Sequence, residues 1–125
     1  MILDTNALSA WADGNPECRE TLATASRLVI PVVVLGEYDF GIRQSAQRSR
    51  YEAWLATNLP MTEIAVISAA TAAVYAGLRL ELKSRGTPIP ANDVWIAAVT
   101  LQYRLPLLSN DSHFDAVPDL QRIAF

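Results

Sequence analysis

With 125 residues, 51% of them hydrophobic and 18% charged, and a formal charge of −3, the chain is sized for one domain with a substantial core. That apolar content excludes an intrinsically disordered chain, and a single cysteine with a single histidine excludes a disulfide framework and a structural zinc finger. Net acidity also argues against a protein that grips nucleic acid by overall charge.

Export and membrane insertion are not expected. Met1-Ile2-Leu3-Asp4 lacks the basic and apolar regions of a signal peptide. The longest charge-free apolar stretch, Ile64 to Leu78, has 15 residues, short of the roughly 18 needed to span hydrocarbon. A soluble, reduced, cytoplasmic protein is the expectation.

Two kinds of segment alternate along the chain. Short apolar runs at Met1–Leu3, Leu28–Leu35, Thr62–Ile67 and Pro106–Ser109 suit strands of a parallel sheet buried on both faces, and Leu120–Ala124 can add an edge strand. Between them lie helical patterns. Asn15-Pro16 opens a helix through Thr24, a capping side chain followed by proline at the first helical position. Gln47–Thr57 carries the apolar stripe Tyr51, Trp54 and Leu55. Ser68 caps a helix that runs to Gly86, a left-handed stop. Asn92 caps a further helix, Asp93–Tyr103, ended before Pro106. There is no internal repeat and no linker, so residues 1–125 read as a single α/β domain with a mostly parallel sheet.

The acids are the informative feature. Most of the 13 sit among polar neighbours, but four border apolar runs: Asp4, Glu37, Asp93 and Asp111. In an open parallel sheet, sites form at the carboxyl ends of strands. Asp4 and Asp111 would end strands, while Glu37 and Asp93 would lie in the first turns of helices, so all four converge at one end. Two carboxylates about 5 Å apart repel by roughly 3 kcal/mol at an effective dielectric near 20. A helix N-terminus relieves about 0.3–1 kcal/mol. A cation or protonation must balance the rest, and all-oxygen ligation suits Mg²⁺ or Mn²⁺. Taken singly, each acid has an ordinary explanation as a cap, a turn former or a solvated side chain.

These residues resemble the PIN-domain ribonucleases, in particular the VapC-type toxins of bacterial and archaeal toxin–antitoxin pairs. Leu3-Asp4-Thr5-Asn6-Ala7-Leu8-Ser9 is similar to the family's first acidic motif, and Ile30 to Glu37 with Phe40-Gly41 to its second. Pro88-Ile89-Pro90-Ala91-Asn92-Asp93-Val94-Trp95-Ile96-Ala97-Ala98 is the most specific match, and Leu107 to Phe114 resembles the fourth motif. The resemblance implies a three-layer PIN-like fold with helices flanking the sheet. It gives metal-coordinating, catalytic roles to Asp4, Glu37, Asp93 and Asp111, and supporting roles to Thr5, Asn6, Asn92 and Ser109. The implied activity is endonucleolytic cleavage of RNA by water activated on Mg²⁺ or Mn²⁺. The implied partners are a second copy of the chain and a small antitoxin lying across the active-site groove.

Basic residues must flank an acidic site that takes phosphate. Arg43, Arg48 and Arg50 form an acid-free run, and Arg79, Lys83 and Arg85 a second group, with Arg85 and Arg43 as the chosen RNA contacts. A solvated face explains the same residues. Trp54 and Trp95 read as buried and Trp11 as a groove residue. The helix pair from Phe40 to Leu59 offers Phe40, Ile42, Tyr51, Trp54 and Leu55 to a partner helix, although the same side chains suit a core. His113 reads as a surface turn residue and Cys18 as ordinary packing. A receiver-type phosphoacceptor domain would need adjacent early acids and a late lysine, and a haloacid-dehalogenase phosphatase an early Asp-x-Asp; position 6 is asparagine. The remaining alternative is a catalytically silent PIN-like module that binds RNA or protein.

Overall fold

The computed structural model describes residues 1–125. Five short strands, β1 (Ile2–Leu3), β2 (Val29–Pro31), β3 (Glu63–Ala65), β4 (Leu107–Leu108) and β5 (Arg122–Ile123), form one sheet in the order β3-β2-β1-β4-β5. Every pairing is parallel. Six helices flank the sheet: α1 (Thr5–Ala12), α2 (Pro16–Ala23), α3 (Val32–Arg43), α4 (Arg48–Asn58), α5 (Ala69–Ser84) and α6 (Ala91–Tyr103). The sheet is thereby covered as a parallel sheet requires, and Ile2, Leu3, Val29, Ile30, Leu107 and Leu108 are all fully buried. α5 packs mainly on α6, and α3 packs on α1, α4 and α6.

Local chemistry explains most of the boundaries. Asn15 accepts from the Cys18 amide at the start of α2, with Pro16 at the first helical position. Ser68 and Thr71 form a reciprocal capping box on α5, which Gly86 ends at φ +71°. No helix is long and apolar enough to cross a membrane.

Three expectations need correction. The run Leu28–Leu35 is not one strand: β2 stops at Pro31 and α3 begins at Val32. Pro31 pairs with Ala65 but has no amide to extend the ladder, and its φ of −59° already suits a helix start. Val32-Val33-Val34 are helical despite their β-branching because burial of Val34 outweighs a weak local preference. Glu37 consequently sits in the second turn of α3, not the first. Asn92 caps nothing: Pro90 holds the cap position of α6, and the Asn92 side chain is exposed with no hydrogen bond. Between Asp4 and Asn15 the chain also forms α1, a helix not expected from the sequence, capped by Asp4 and burying Ala7, Leu8 and Ala12.

Candidate active site

The strand order dictates where a site can lie. From β1 the chain runs outward on one side through β2 and β3, then returns on the other side as β4 and β5. The crevice between the carboxyl ends of β1 and β4 is therefore the switch point of the sheet. Asp4 follows β1 directly, and its amide donates to the carbonyl of Leu108 at 3.1 Å. Ser109, Asn110 and Asp111 follow β4 across the crevice.

Asp4 is buried and held from several directions. Its Oδ1 accepts from the Thr5 amide at 2.8 Å. Its Oδ2 accepts from the Ser109 hydroxyl at 2.6 Å and from Asn6 Nδ2 at 2.8 Å. Ser109 Oγ in turn accepts from the Asp111 amide at 3.0 Å, and Asn6 Oδ1 from the Asn110 amide at 3.1 Å. The two strand ends are thus tied by side chains about 100 positions apart in sequence.

Asp93, in the first turn of α6, approaches from another element. His113 Nδ1 lies 3.3 Å from Asp93 Oδ2 and 3.2 Å from Asp111 Oδ1. Ligand atoms of Asp93, Asp111 and His113 all fall within 4.8 Å of one another. Glu37 completes the group from α3. Its Oε1 is buried without a hydrogen-bond partner, as is the hydroxyl of neighbouring Thr5.

Electrostatics follow from this crowding. Burial pushes the Asp4 carboxyl above its ordinary range, opposed by the Ser109 and Thr5 hydrogen bonds and reinforced by Asp111. Burial also raises Glu37, with Asp4 and Asp93 adding repulsion and the neighbouring Thr5 hydroxyl opposing the rise. Asp93 is raised first by burial, eased by the hydrogen bond to His113, and raised again by Asp111 and Asp4. Three carboxyls that resist ionisation together, one with an unpartnered oxygen, fit a hard divalent cation. The available donors are carboxylate oxygens with one adjacent imidazole, a set that suits a divalent metal and offers no thiolate.

The PIN domain profile matches residues 1–120. The chain belongs to the PIN-domain family. Among curated PIN-domain relatives, it is 30% identical to Ribonuclease VapC2 of Rickettsia felis over 95% of this chain and 92% of that protein. It is also 30% identical to Ribonuclease VapC5 of Mycobacterium tuberculosis over 93% of this chain and 86% of that one. The crystal structure of VapBC2 from Rickettsia felis, bound to a DNA fragment from their promoter, superposes with a TM-score of 0.87 at 28% identity, covering 98% of this chain and 96% of that one. The three-layer α/β expectation therefore agrees with the PIN-domain architecture.

Within this PIN-domain site, Asp93 and Asp111 lie together, Ser109 joins Asp4 to Asp111 with Asn6 beside it, and Glu37 next to Thr5 is near enough to feel the charges of Asp4 and Asp93. Asn92 does not join the hydrogen-bond network. Arg43 pairs with Asp39 at 2.9 Å and Arg85 with Glu81 at 2.8 Å, both exposed. Trp54 and Trp95 are half-buried, not fully so, and Trp95 stacks on Tyr75 at 3.9 Å. Trp11 meets Trp54 edge-on at 5.0 Å, which makes it a packing residue. Of the helix-pair side chains, Phe40 alone is exposed; Ile42 is buried, and Tyr51, Trp54 and Leu55 pack on the core. Cys18 is fully buried, as expected of a packing residue. His113 is an exposed residue of the turn after Asp111, as expected, but its contacts with Asp93 and Asp111 were not legible in the sequence. Its signal was faint: Asp111 caps the turn that carries it, accepting from the His113 amide at 2.9 Å.

Proposed function

We propose that this PIN-domain chain is an endoribonuclease, the toxin of a toxin–antitoxin pair, and that it works with Mg²⁺ or Mn²⁺ held by Asp4, Glu37, Asp93 and Asp111. The observation that carries this reading is the gathering of acids from β1, α3, α6 and the β4 end around one crevice. When bound, the ion lowers the pKa of water and offsets charge developing on the phosphorane oxygens. The protein's own contribution is positioning. Ser109 and Asn6 fix Asp4 Oδ2, and Thr5 fixes Oδ1, so the first carboxylate presents one orientation. Glu37 Oε1, lacking a partner, is the free acceptor that orients the attacking water.

Residues 1–125 act as a single PIN-like unit, cytoplasmic and homodimeric, with a small antitoxin covering the groove over the acids. Homology to VapC ribonucleases and the likeness to VapBC2 support the toxin assignment. Arg43 and Arg85 are the phosphate contacts in this reading, since exposed ion pairs are worth little and exchange readily for phosphate. The deciding experiment is RNA cleavage by the purified, antitoxin-free chain with Mg²⁺ or Mn²⁺, then with EDTA, then with the metal restored. Cleavage lost in EDTA and regained on restoration is expected. Equal cleavage in EDTA overturns the metal assignment, and no cleavage in any condition overturns the nuclease.

A further inference from the structure

Beside the carboxylates lies a cavity of about 220 Å³ between α1, α3 and α4. Its lining includes Thr5, Ser9, Asp13, Glu37, Tyr38 and Tyr51. The molecule has three buried side-chain polar atoms without a hydrogen-bond partner, Thr5 Oγ1, Glu37 Oε1 and the Tyr38 hydroxyl, and all three belong to residues lining this one cavity. Buried polar groups are ordinarily paired, so such a concentration marks a place where partners are expected from outside the chain. Tyr38 is the telling member because catalysis makes no use of it. Tyr38 is 4% exposed, and its hydroxyl lies close enough to Tyr51 and Asp13 to feel both.

The chemistry of the walls narrows the occupant. No lysine or arginine lines the cavity, while Asp13 and Glu37 do, which excludes a phosphate. Asp13 Oδ1 accepts from the Tyr51 hydroxyl at 2.6 Å, leaving Oδ2 free to accept from a ligand. The Tyr38 hydroxyl needs an acceptor for its proton, whereas Thr5 has the Glu37 carboxylate beside it, so a purely donating guanidinium or ammonium would leave Tyr38 unsatisfied. What fits is a small, neutral group that both donates and accepts, flat enough to lie against a tyrosine ring. The volume is below the ordinary range for drug-sized ligands, about 300–1,000 Å³, so a single ring system suits it better than a longer ligand.

We propose that this cavity receives one unstacked RNA base next to the scissile phosphate, with Asp13 reading the base's amino or imino edge and Tyr38 donating to its ring nitrogen or carbonyl. Single-stranded bases are recognised in this manner, splayed onto aromatic side chains and hydrogen-bonded along the Watson–Crick edge. Carboxylates are known acceptors for exocyclic amines of bases. The cavity opens onto the acids through Thr5 and Glu37, which line both, so a base seated there belongs to a nucleotide adjoining the reacting bond. The inference rests on the nuclease reading for its substrate class, and it makes Asp13 and Tyr38 specificity-determining residues.

The test titrates the isotopically labelled chain with guanosine, adenosine, cytidine and uridine, following backbone amide resonances. Free nucleosides carry no phosphate and are indifferent to the acid cluster. At least one is expected to shift the amides of Ser9, Asp13 and Tyr51 saturably, with affinity falling about tenfold or more in Asp13→Asn or Tyr38→Phe, as loss of a base-edge contact requires. Well-dispersed spectra of both variants establish that they fold. The inference is overturned if no nucleoside binds, if both variants bind like the wild type, or if only N-acetylarginine amide shifts these resonances, which would assign the cavity to a protein partner. Cleavage of RNA by the same wild-type preparation with Mn²⁺ is scored separately. Cleavage without nucleoside binding removes the base pocket and leaves the nuclease standing, and binding without cleavage does the reverse.

Discussion

The Ser109 hydroxyl, fully buried, donates to Asp4 Oδ2 at 2.6 Å while accepting the Asp111 amide at 3.0 Å, so one side chain sets the spacing of two acids. Removing it in Ser109→Ala leaves Asp4 Oδ2 with Asn6 as its remaining donor and the Asp111 amide without its acceptor. A loss of roughly 1–3 kcal/mol is the ordinary consequence of such unpairing. Metal affinity and RNA cleavage are expected to fall about 10–100-fold, as when an outer partner of a metal ligand is removed. Calorimetric Mn²⁺ titration and a melting curve measure both. Unchanged Mn²⁺ affinity would show that Asp4 does not depend on this bond.

Burial of the acids, reinforced by their mutual repulsion, makes a signed prediction for the metal-free protein. Asp4 and Asp93 are raised above 3.8, and Glu37 above 4.5, each chiefly by burial. A carboxyl whose folded-state pKa is raised favours folding while protonated, and that advantage is lost as pH climbs from about 4 through the raised value. Asp93→Asn removes one such group. In EDTA, its melting temperature relative to wild type is therefore expected to rise between pH 4 and pH 7. Adding Mg²⁺ should stabilise the wild type by binding the folded state and leave the variant nearly unmoved. The variant is also expected to lose RNA cleavage while keeping its fold. A variant that gains nothing over wild type as pH rises would contradict a cost of ionising Asp93 in the folded protein.

His113 touches Asp93 and Asp111 but is 54% exposed, so it screens the two acids without being enclosed by them. His113→Ala is expected to fold normally and to change Mn²⁺ affinity by less than about tenfold, because an exposed pair contributes about 1 kcal/mol or less. Calorimetry with Mn²⁺ decides the point. A loss matching that of Asp93→Asn would make the imidazole a ligand in its own right.

Arg85 pairs with Glu81 one turn earlier on α5, in the open. Arg85→Ala is expected to cost no more than about 0.5 kcal/mol of stability, as surface pairs do. Should the guanidinium meet phosphate, the slope of log affinity for single-stranded RNA against log salt drops by about 0.7 for the variant. An identical slope would place Arg85 outside the RNA path.

Much of the site was legible because its parts are local. Asp4, Asp93 and Asp111 stand next to short apolar runs, and that adjacency follows from how strands end and helices begin. Asn15-Pro16 and Ser68 announced their helices for the same reason, since a cap acts over only a few residues. The Val32-Val33-Val34 run misled because its β-branched residues sit just past Pro31, and burial of Val34 decided for a helix. The surface position of His113 was legible, but its contact with Asp93 was not, because it crosses 20 positions that no spacing rule connects.

Composition and local pattern, then, determined the class of fold, the alternation of strands and helices, and the acids that stand out from their neighbours. Tertiary structure alone decided that β1 lies between β2 and β4, that Ser109 and Asn6 lock Asp4 across the crevice, and that three unpaired polar atoms belong to one cavity. The division has a physical origin. Caps and periodic burial act over a few residues, whereas strand order and hydrogen bonds between distant side chains exist only once the whole chain has packed.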